Sequence, residues 1–221
     1  FLVQAGLPEA RIHVVPNAVD GARYTPGPSD YKAAIGAQWL AVYSGRLDPE
    51  KRADALLGAF HDLPLPEDHK LVLMGDGTQR AALERRYASD PRVLFTGHVA
   101  DEGERIRILR AADVFILPSD VEGLSLALLE AMACGAAPIA TDAGADGEVV
   151  RGVGIVVNPN RLREELPEAI LHLAKHPDQC REMGQRARAK VVRAHDLRQL
   201  TTRLLGLYES LLAARSGRGE A

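Results

Sequence analysis

The chain has 221 residues, of which 46% are hydrophobic and 26% charged, and its formal net charge is −3. This composition excludes a disordered chain and is typical of a globular protein with one large or two small domains. The interspersed charges give no basic face for nucleic acid, and the longest apolar runs are far too short to span a membrane. We therefore expect no nucleic-acid partner. The two separated cysteines, Cys134 and Cys180, favour a cytoplasmic location.

Short β-type runs alternate with helical patterns along most of the chain. The predicted strands are residues 13–15, 39–44, 70–74, 93–96, 114–117, 137–140 and 154–157. The predicted helices are residues 52–63, 78–88, 102–111, 123–134, 163–175, 178–194 and 197–214. Because the strands are too short and apolar to have a wet face, this alternation predicts a Rossmann-like, doubly wound α/β domain, with a parallel sheet covered by helices on both sides.

The same pattern divides the chain into four parts. Residues 1–37 are predicted to be a linker that leads into the domain and contains the turn PNAVD, and residues 38–195 are the Rossmann-like domain. Residues 196–214 form a terminal helix whose leucines indicate core or interface, and residues 215–221 form a frayed tail. The opening FLVQAGLPEA has neither an initiating methionine nor a signal-peptide pattern, so we expect a fragment of a longer protein.

The loops that follow the strands form the candidate site, since ligands of such sheets bind beyond the carboxyl ends of the strands. Gly45 begins the first loop, which also carries the cations Arg46 and Lys51. The next loop begins with Gly75, and glycines also open or punctuate the loops after the third, fourth and fifth strands of the domain. Glycine permits the sharp turns that bring backbone close to a ligand.

The segment EGLSLALLE places Glu122 and Glu130 at the two ends of an apolar run that is predicted to be helical. A helix that begins near Gly123 presents free backbone N–H groups and the positive end of its dipole, which favour phosphate. Arg46 and Lys51 supply two positive charges for a diphosphate there. Eight helical residues span about 12 Å, so the two carboxylates are placed to accept sugar hydroxyls on either side of the diphosphate. The sequence therefore predicts a nucleotide-sugar site.

Six motifs occur in a fixed order and together resemble a known family. They are PNAVD at 16–20, GRLDPEK at 45–51, GDG at 75–77, FTGHV at 95–99, AADVFILPSDVEGLSLALLEAMACG at 111–135 and GADGEVV at 144–150. This series resembles the carboxyl-terminal half of retaining glycosyltransferases of family 4, which have the GT-B fold. The resemblance implies two facing Rossmann-like domains, of which the second binds the nucleotide-sugar donor. The sequence resembles that second domain alone, without the amino-terminal domain.

The resemblance also implies roles for individual residues. It implies that Arg46 and Lys51 contact the diphosphate, that the turn Gly75, Asp76 and Gly77 lines the nucleotide, and that the backbone at Val99 faces the base. It also implies that Glu130 binds the ribose and that Glu122 binds the donor hexose. The amides of Gly123, Leu124 and Ser125 are implied to donate to phosphate or sugar. Arg46, Lys51 and Glu122 are the candidate catalytic residues. Ser125 stands where the family often has glycine or proline, which bears on the choice of donor sugar.

The implied reaction is transfer of a hexosyl group from a UDP-sugar or GDP-sugar to a glycan, lipid or small-molecule acceptor, with retention at the anomeric carbon. Arg46 and Lys51 would stabilise the leaving diphosphate, so we expect no metal and no other cofactor. Because a GT-B donor lies between two domains, we expect this chain to be inactive by itself. Any peripheral membrane association is expected only through the absent domain.

Two alternatives stay open. A nucleotide-sugar epimerase has the same architecture, although the epimerase set of carboxylates and histidine is not found here, and a non-catalytic nucleotide-binding or partner-binding module is possible on the same fold. An NAD-dependent dehydrogenase is disfavoured because no strand is followed by G-x-G-x-x-G. His172 and His176 are spaced for metal binding but lack a visible third ligand. His98 is interpreted as a wall residue.

Overall fold

The computed structural model of the protein describes residues 2–216. Within this range one parallel sheet contains the strands β1 Trp39–Ser44, β2 His69–Met74, β3 Val93–Gly97, β4 Val114–Leu117, β5 Ala137–Thr141 and β6 Ile155–Val157. The strand order is β3-β2-β1-β4-β5-β6. The order reverses between β1 and β4, as in doubly wound Rossmann-like sheets, where ligands bind in the crevice at this switch point. The predicted fold class is confirmed.

Helices cover both faces of the sheet. They are α1 Tyr31–Ile35, α2 Ala53–Asp62, α3 Arg80–Tyr87, α4 Glu102–Ala111, α5 Leu126–Cys134, α6 Asp146–Val150, α7 Leu162–Lys175, α8 Pro177–Ala194 and α9 Leu197–Ser216. Local chemistry fixes several of their ends. Asp101 caps α4 by accepting a hydrogen bond from the amide of Glu104 at 2.7 Å, and Gly135 ends α5 in the left-handed region at φ +93°. The short helices α1 and α6 are not predicted by the sequence.

The core lies between the sheet and its helices. The central strands β1 and β4 are buried almost throughout, with Leu40, Val42, Phe115 and Ile116 fully inaccessible to solvent. Strands covered on both faces need apolar side chains on both, which is why they read as continuous apolar runs. The sheet thus provides a rigid base for the loops at its carboxyl edge.

The predicted strand at 13–15 is wrong. These residues belong to no strand, and Val14 is 79% exposed. The run of β-branched residues has strand propensity, but propensity forms a strand only where a sheet edge is available to pair with. Residues 12–15 instead line a groove beside α9, together with Leu200, Leu204 and Leu207.

Residues 19–37 pack against the domain. Tyr24 and Tyr31 are buried in the core, and Val19 joins the α8–α9 junction, since its amide donates to the carbonyl of His195 at 2.9 Å. Helix α9 has no buried residue up to Ala213. The predicted tail starts inside α9, and residues 217–221 of this tail lie outside the described residues. The division into domains stays a prediction.

Candidate functional site

A cleft of about 470 Å³ opens where β1, β2 and β3 end. Its lining residues are Ser44, Gly45, Arg46, Met74, Gly75, Asp76, His98, Val99 and Arg105. Five of these, Gly45, Arg46, Gly75, Asp76 and Val99, are candidates from three separate stretches of sequence, and the fold brings them together. Arg105, on α4, is not predicted as a site residue, because nothing in the sequence distinguishes it from the other arginines of its helix.

Glycines allow the first two loops of the cleft to touch. Gly75 has φ +149°, and a Cβ there would lie 1.8 Å from the carbonyl oxygen of Gly45. A Cβ on Gly77 would lie 2.6 Å from the backbone of Leu47. Any larger residue at 75 or 77 would separate the loops, so both positions require glycine for backbone contact, and Gly75 also requires it for its positive φ.

Lys51 and Glu122 form an ion pair across the switch point. The Lys51 Nζ lies 2.7 Å from the Glu122 Oε1, and both side chains are 15% exposed. The same oxygen accepts a hydrogen bond from the Ser119 hydroxyl at 2.9 Å. The loop after β1 and the loop after β4 are therefore tied together by charge, and Glu122 is held from two sides.

Arg46 lies at the open rim of the cleft and is 65% exposed. Its guanidinium forms ion pairs with Asp48 and with Glu50, the latter at 2.8 Å. Asp48 is itself fixed, since it accepts from the amide and the hydroxyl of Thr78 at 2.9 Å each, and these hydrogen bonds lower its pKa. Both predicted cations thus carry carboxylate partners in this structure.

The predicted helix at 123–134 starts three residues later than expected. Helix α5 begins at Leu126, and Ser125 is its N-cap, with the hydroxyl accepting from the amide of Leu128 at 3.3 Å. Glu122 therefore lies in a loop, and the axial distance of about 12 Å between it and Glu130, which assumed continuous helix, does not apply. A serine directly before an apolar run is an N-cap signal that marks this start in the sequence.

Glu130 projects from α5 among polar side chains, most of which the sequence does not predict as site residues. It is half-buried, and burial raises its pKa above the ordinary value, against the lowering effects of Tyr24 and Arg105. The Arg105 guanidinium donates to the Tyr24 hydroxyl at 3.1 Å, and that hydroxyl donates to Glu102 at 3.0 Å. Because Arg105 also lines the cleft, this network connects Glu130 with the cleft wall.

A buried carboxylate at the start of α6 holds the loop before α5. Asp146 is 1% exposed, and its Oδ1 accepts from the amide of Ser125 at 2.8 Å. Burial raises the pKa of Asp146 to about 6, with the hydrogen bond from Ser125 opposing the rise. The sequence does not single out Asp146, because its partner lies 21 residues away.

Among the residues that the structure describes, no group of three or more histidine, cysteine, aspartate or glutamate side chains is placed to hold a metal ion. The rings of His172 and His176 lie 4.5 Å apart, and Nδ1 of His176 contacts the carbonyl oxygen of His172 at 2.7 Å. Between residues 2 and 216, the helices are all too short or too polar to cross a bilayer.

Comparison with known proteins identifies the family. The family model for "Glycosyl transferases group 1" matches residues 31–190. The chain is 31% identical over 214 residues to the GDP-mannose-dependent monoacylated alpha-(1-6)-phosphatidylinositol monomannoside mannosyltransferase of Corynebacterium glutamicum, covering 89% of this chain and 55% of that protein. It is 34% identical over 163 residues to the GDP-mannose-dependent alpha-(1-6)-phosphatidylinositol dimannoside mannosyltransferase of Mycobacterium tuberculosis, covering 72% and 41%. The chain thus spans about half the length of these curated relatives.

Solved structures agree with this family. Sucrose-phosphate synthase from Thermosynechococcus elongatus superimposes with a TM-score of 0.81 at 25% identity, covering 91% of this chain and 53% of that one. The C-terminal domain of a glycosyl transferase group 1 family protein from Francisella tularensis has a TM-score of 0.69 at 24% identity, with coverage of 81% and 99%. The match of almost the whole of that domain confirms the predicted Rossmann-like, doubly wound fold. The chain belongs to the group 1 glycosyltransferases.

Proposed function

We propose that this chain is the donor-binding half of a retaining glycosyltransferase, which transfers a hexosyl group from a nucleoside-diphosphate sugar to an acceptor. The observation that carries the proposal is the cleft beside the switch point, where Gly45, Arg46, Gly75, Asp76 and Val99 meet. Its position at the carboxyl edge of the sheet is that of ligand sites in this architecture. The family membership supports glycosyl transfer as the chemistry.

The cations of the site retain donors for a diphosphate despite their carboxylate partners. An ammonium group has three N–H donors and a guanidinium has five. Lys51 donates to Glu122, and Arg46 donates to Asp48 and Glu50. Both side chains retain further N–H groups for phosphate oxygens. As the bond between the anomeric carbon and the diphosphate breaks, negative charge grows on the leaving group, and these donors stabilise it.

Glu122 fits a positioning role better than that of a nucleophile. Lys51 and Ser119 both donate to its Oε1, which lowers the reactivity of that oxygen. A double displacement would require a carboxylate free to attack the anomeric carbon. We therefore assign Glu122 to a hydroxyl of the donor hexose, with retention of configuration as in the family that the sequence resembles.

The nucleoside is assigned to the cleft and the adjacent face of α5. The backbone at Gly75, Asp76 and Gly77 lines the nucleotide, Val99 faces the base, and Glu130 accepts the ribose hydroxyls. The amides of Gly123 and Leu124 donate to phosphate or sugar. The third predicted amide, of Ser125, is already bonded to Asp146, so its contribution is through the loop that it anchors.

The relatives support a proposal for the donor and for the remainder of the enzyme. The two relatives above are named as GDP-mannose-dependent, which favours a GDP-hexose, and HepE from Anabaena, with the same fold at 22% identity, is described in complex with UDP. We propose a cytoplasmic enzyme that needs no metal, with an acceptor that is a glycan, a lipid or a small molecule. A second domain would close over the donor and orient the acceptor, and any membrane association would reside there.

The test is calorimetric titration of the chain with GDP, UDP and GDP-mannose, combined with assays of donor hydrolysis and transfer. Saturable binding without turnover supports the proposal, because one wall of the cleft binds the donor but cannot exclude water. Binding of none of the three nucleotides favours a non-catalytic module. Efficient transfer by the chain alone would place the acceptor site in this half and contradict the division of labour proposed here.

A further inference from the structure

The loop between β4 and α5 is held in place at three consecutive residues by groups from elsewhere in the chain. The three hydrogen bonds are from the amide of Ala145 to the carbonyl of Gly123 at 2.7 Å, from the side-chain amide of Asn17 to the carbonyl of Leu124 at 2.6 Å, and from the amide of Ser125 to Oδ1 of Asp146 at 2.8 Å. In addition, a Cβ on Gly144 would lie 2.0 Å from the carbonyl oxygen of Glu122. The turn before α6 therefore packs directly against this loop.

These contacts determine which loop amides remain for a ligand. The carbonyls of Gly123 and Leu124 and the amide of Ser125 have partners within the protein. The amides of Gly123 and Leu124 have no protein acceptor among the hydrogen bonds of residues 2–216. The Gly123 carbonyl and the Leu124 amide share one planar peptide group, so the bond from Ala145 also fixes the direction of the Leu124 amide. The Gly123 amide shares its peptide group with the carbonyl of Glu122, against which Gly144 packs. The loop thus offers a preset pair of donors.

Asp146 is the unusual member of this arrangement. Its side chain is 1% exposed, and its Oδ2 is buried without any hydrogen-bond partner. A buried carboxyl oxygen without a partner is costly. The charged groups that act on it are Glu122, which opposes its ionisation, and Lys51, which favours it. Within residues 2–216, the one hydrogen bond of the Asp146 side chain is to the loop, so the benefit that offsets this cost lies in the loop.

We propose that Asp146 is a positioning residue for donor binding, because it holds the Ser125 amide and so presets the amides of Gly123 and Leu124 for the diphosphate or the sugar. This inference rests on the proposed function and adds a residue outside the predicted site. Preorganised donors need no ordering when the ligand binds. Without the hydrogen bond from Ser125 to Asp146, the free energy of ordering the loop would oppose each binding event.

The binding test compares two variants with a matched control. Asp146→Ala removes the acceptor and should raise the Kd for GDP-mannose by about tenfold or more. Asp146→Asn keeps an acceptor oxygen for Ser125 and should stay within about threefold of the wild type. The control is Asp142→Ala, because Asp142 lies in the same turn but pairs with exposed Arg151, at 3.2 Å. The Kd of this variant for GDP-mannose should equal that of the wild type. Equal affinity of Asp146→Ala and wild type, or an equal loss in Asp146→Asn, would overturn the proposal.

A second measurement separates the inference from the proposed function. Amide hydrogen exchange followed by NMR should show the Ser125 amide protected in the wild type and in Asp146→Asn, and exposed in Asp146→Ala, with the core strands equally protected in all three. Unchanged protection of Ser125 in Asp146→Ala would refute the positioning role whatever the nucleotide affinities are. If Ser125 behaves as expected but the wild type binds no nucleotide, Asp146 holds the loop, and both the proposed function and the donor-binding part of this inference fail.

Discussion

Replacing Lys51 with alanine should weaken nucleotide binding and also destabilise the fold. Loss of one charged hydrogen bond to the diphosphate corresponds to about 1.5–3 kcal/mol, which raises the Kd for GDP roughly 10- to 150-fold. The same change leaves Glu122, which is 15% exposed, with Ser119 as its remaining hydrogen-bond donor. Because the site is partly open to solvent, we expect a loss of unfolding free energy of about 1–3 kcal/mol, below that for a fully buried pair.

Calorimetry and thermal unfolding of matched variants separate these two effects. Arg46→Ala should weaken GDP binding similarly but change stability by less than about 0.5 kcal/mol, because Arg46 is 65% exposed. Adding Glu122→Gln to Lys51→Ala should restore much of the stability and none of the GDP affinity. If Lys51→Ala binds GDP as tightly as the wild type, Lys51 is not in the site and the electrostatic account is wrong.

Three further predictions concern the carboxylates and the isolated chain. Glu130→Gln should weaken GDP and GDP-mannose alike, whereas Glu122→Gln should weaken only GDP-mannose; equal effects of both substitutions on GDP would reverse the assignment. The pKa of Asp146 is raised from 3.8 to about 6 in the folded chain, so the folded state holds the proton more tightly and loses stability as pH rises from about 4 to 6. Asp146→Asn should therefore match the wild type in unfolding free energy near pH 4 and exceed it by about 1–3 kcal/mol at pH 8, and a constant difference across this range would contradict the shift. The exposed leucines of α9, among them Leu205 and Leu211, should promote concentration-dependent self-association in light scattering, and a strictly monomeric chain at all concentrations would show that this face does not associate.

The sheet and its long helices could be predicted from the sequence because both obey local rules. Buried parallel strands are short apolar runs, and helices between them follow a period of 3.6 residues. The same local rules misassigned residues 13–15, where strand propensity meets no sheet edge, and placed the start of α5 before Ser125 instead of after it. Short elements such as α6 lack enough residues to show a period.

The sequence could predict which loops meet at the carboxyl edge of the sheet, but not how their charged side chains pair. The glycines and charged residues after the strands mark the loops of the cleft, since the topology sends every such loop to one edge. The partner of Lys51 is 71 residues away, and that of Asp146 is 21 residues away. Such contacts depend on the packing of one loop against another, so the sequence alone assigned Lys51 to phosphate without showing that Glu122 already pairs with it.

The most direct test of the account is an NMR titration of the chain with GDP, in which backbone amide shifts are mapped onto the structure. The account predicts saturable shifts that cluster at Gly45, Gly75 and Val99 and in the loop before α5, with little change elsewhere. Shifts that cluster instead in the groove between α2 and α7, which Arg86 and Arg163 line, or no saturable shifts at all, would contradict the assignment of the cleft at the carboxyl edge as the donor site.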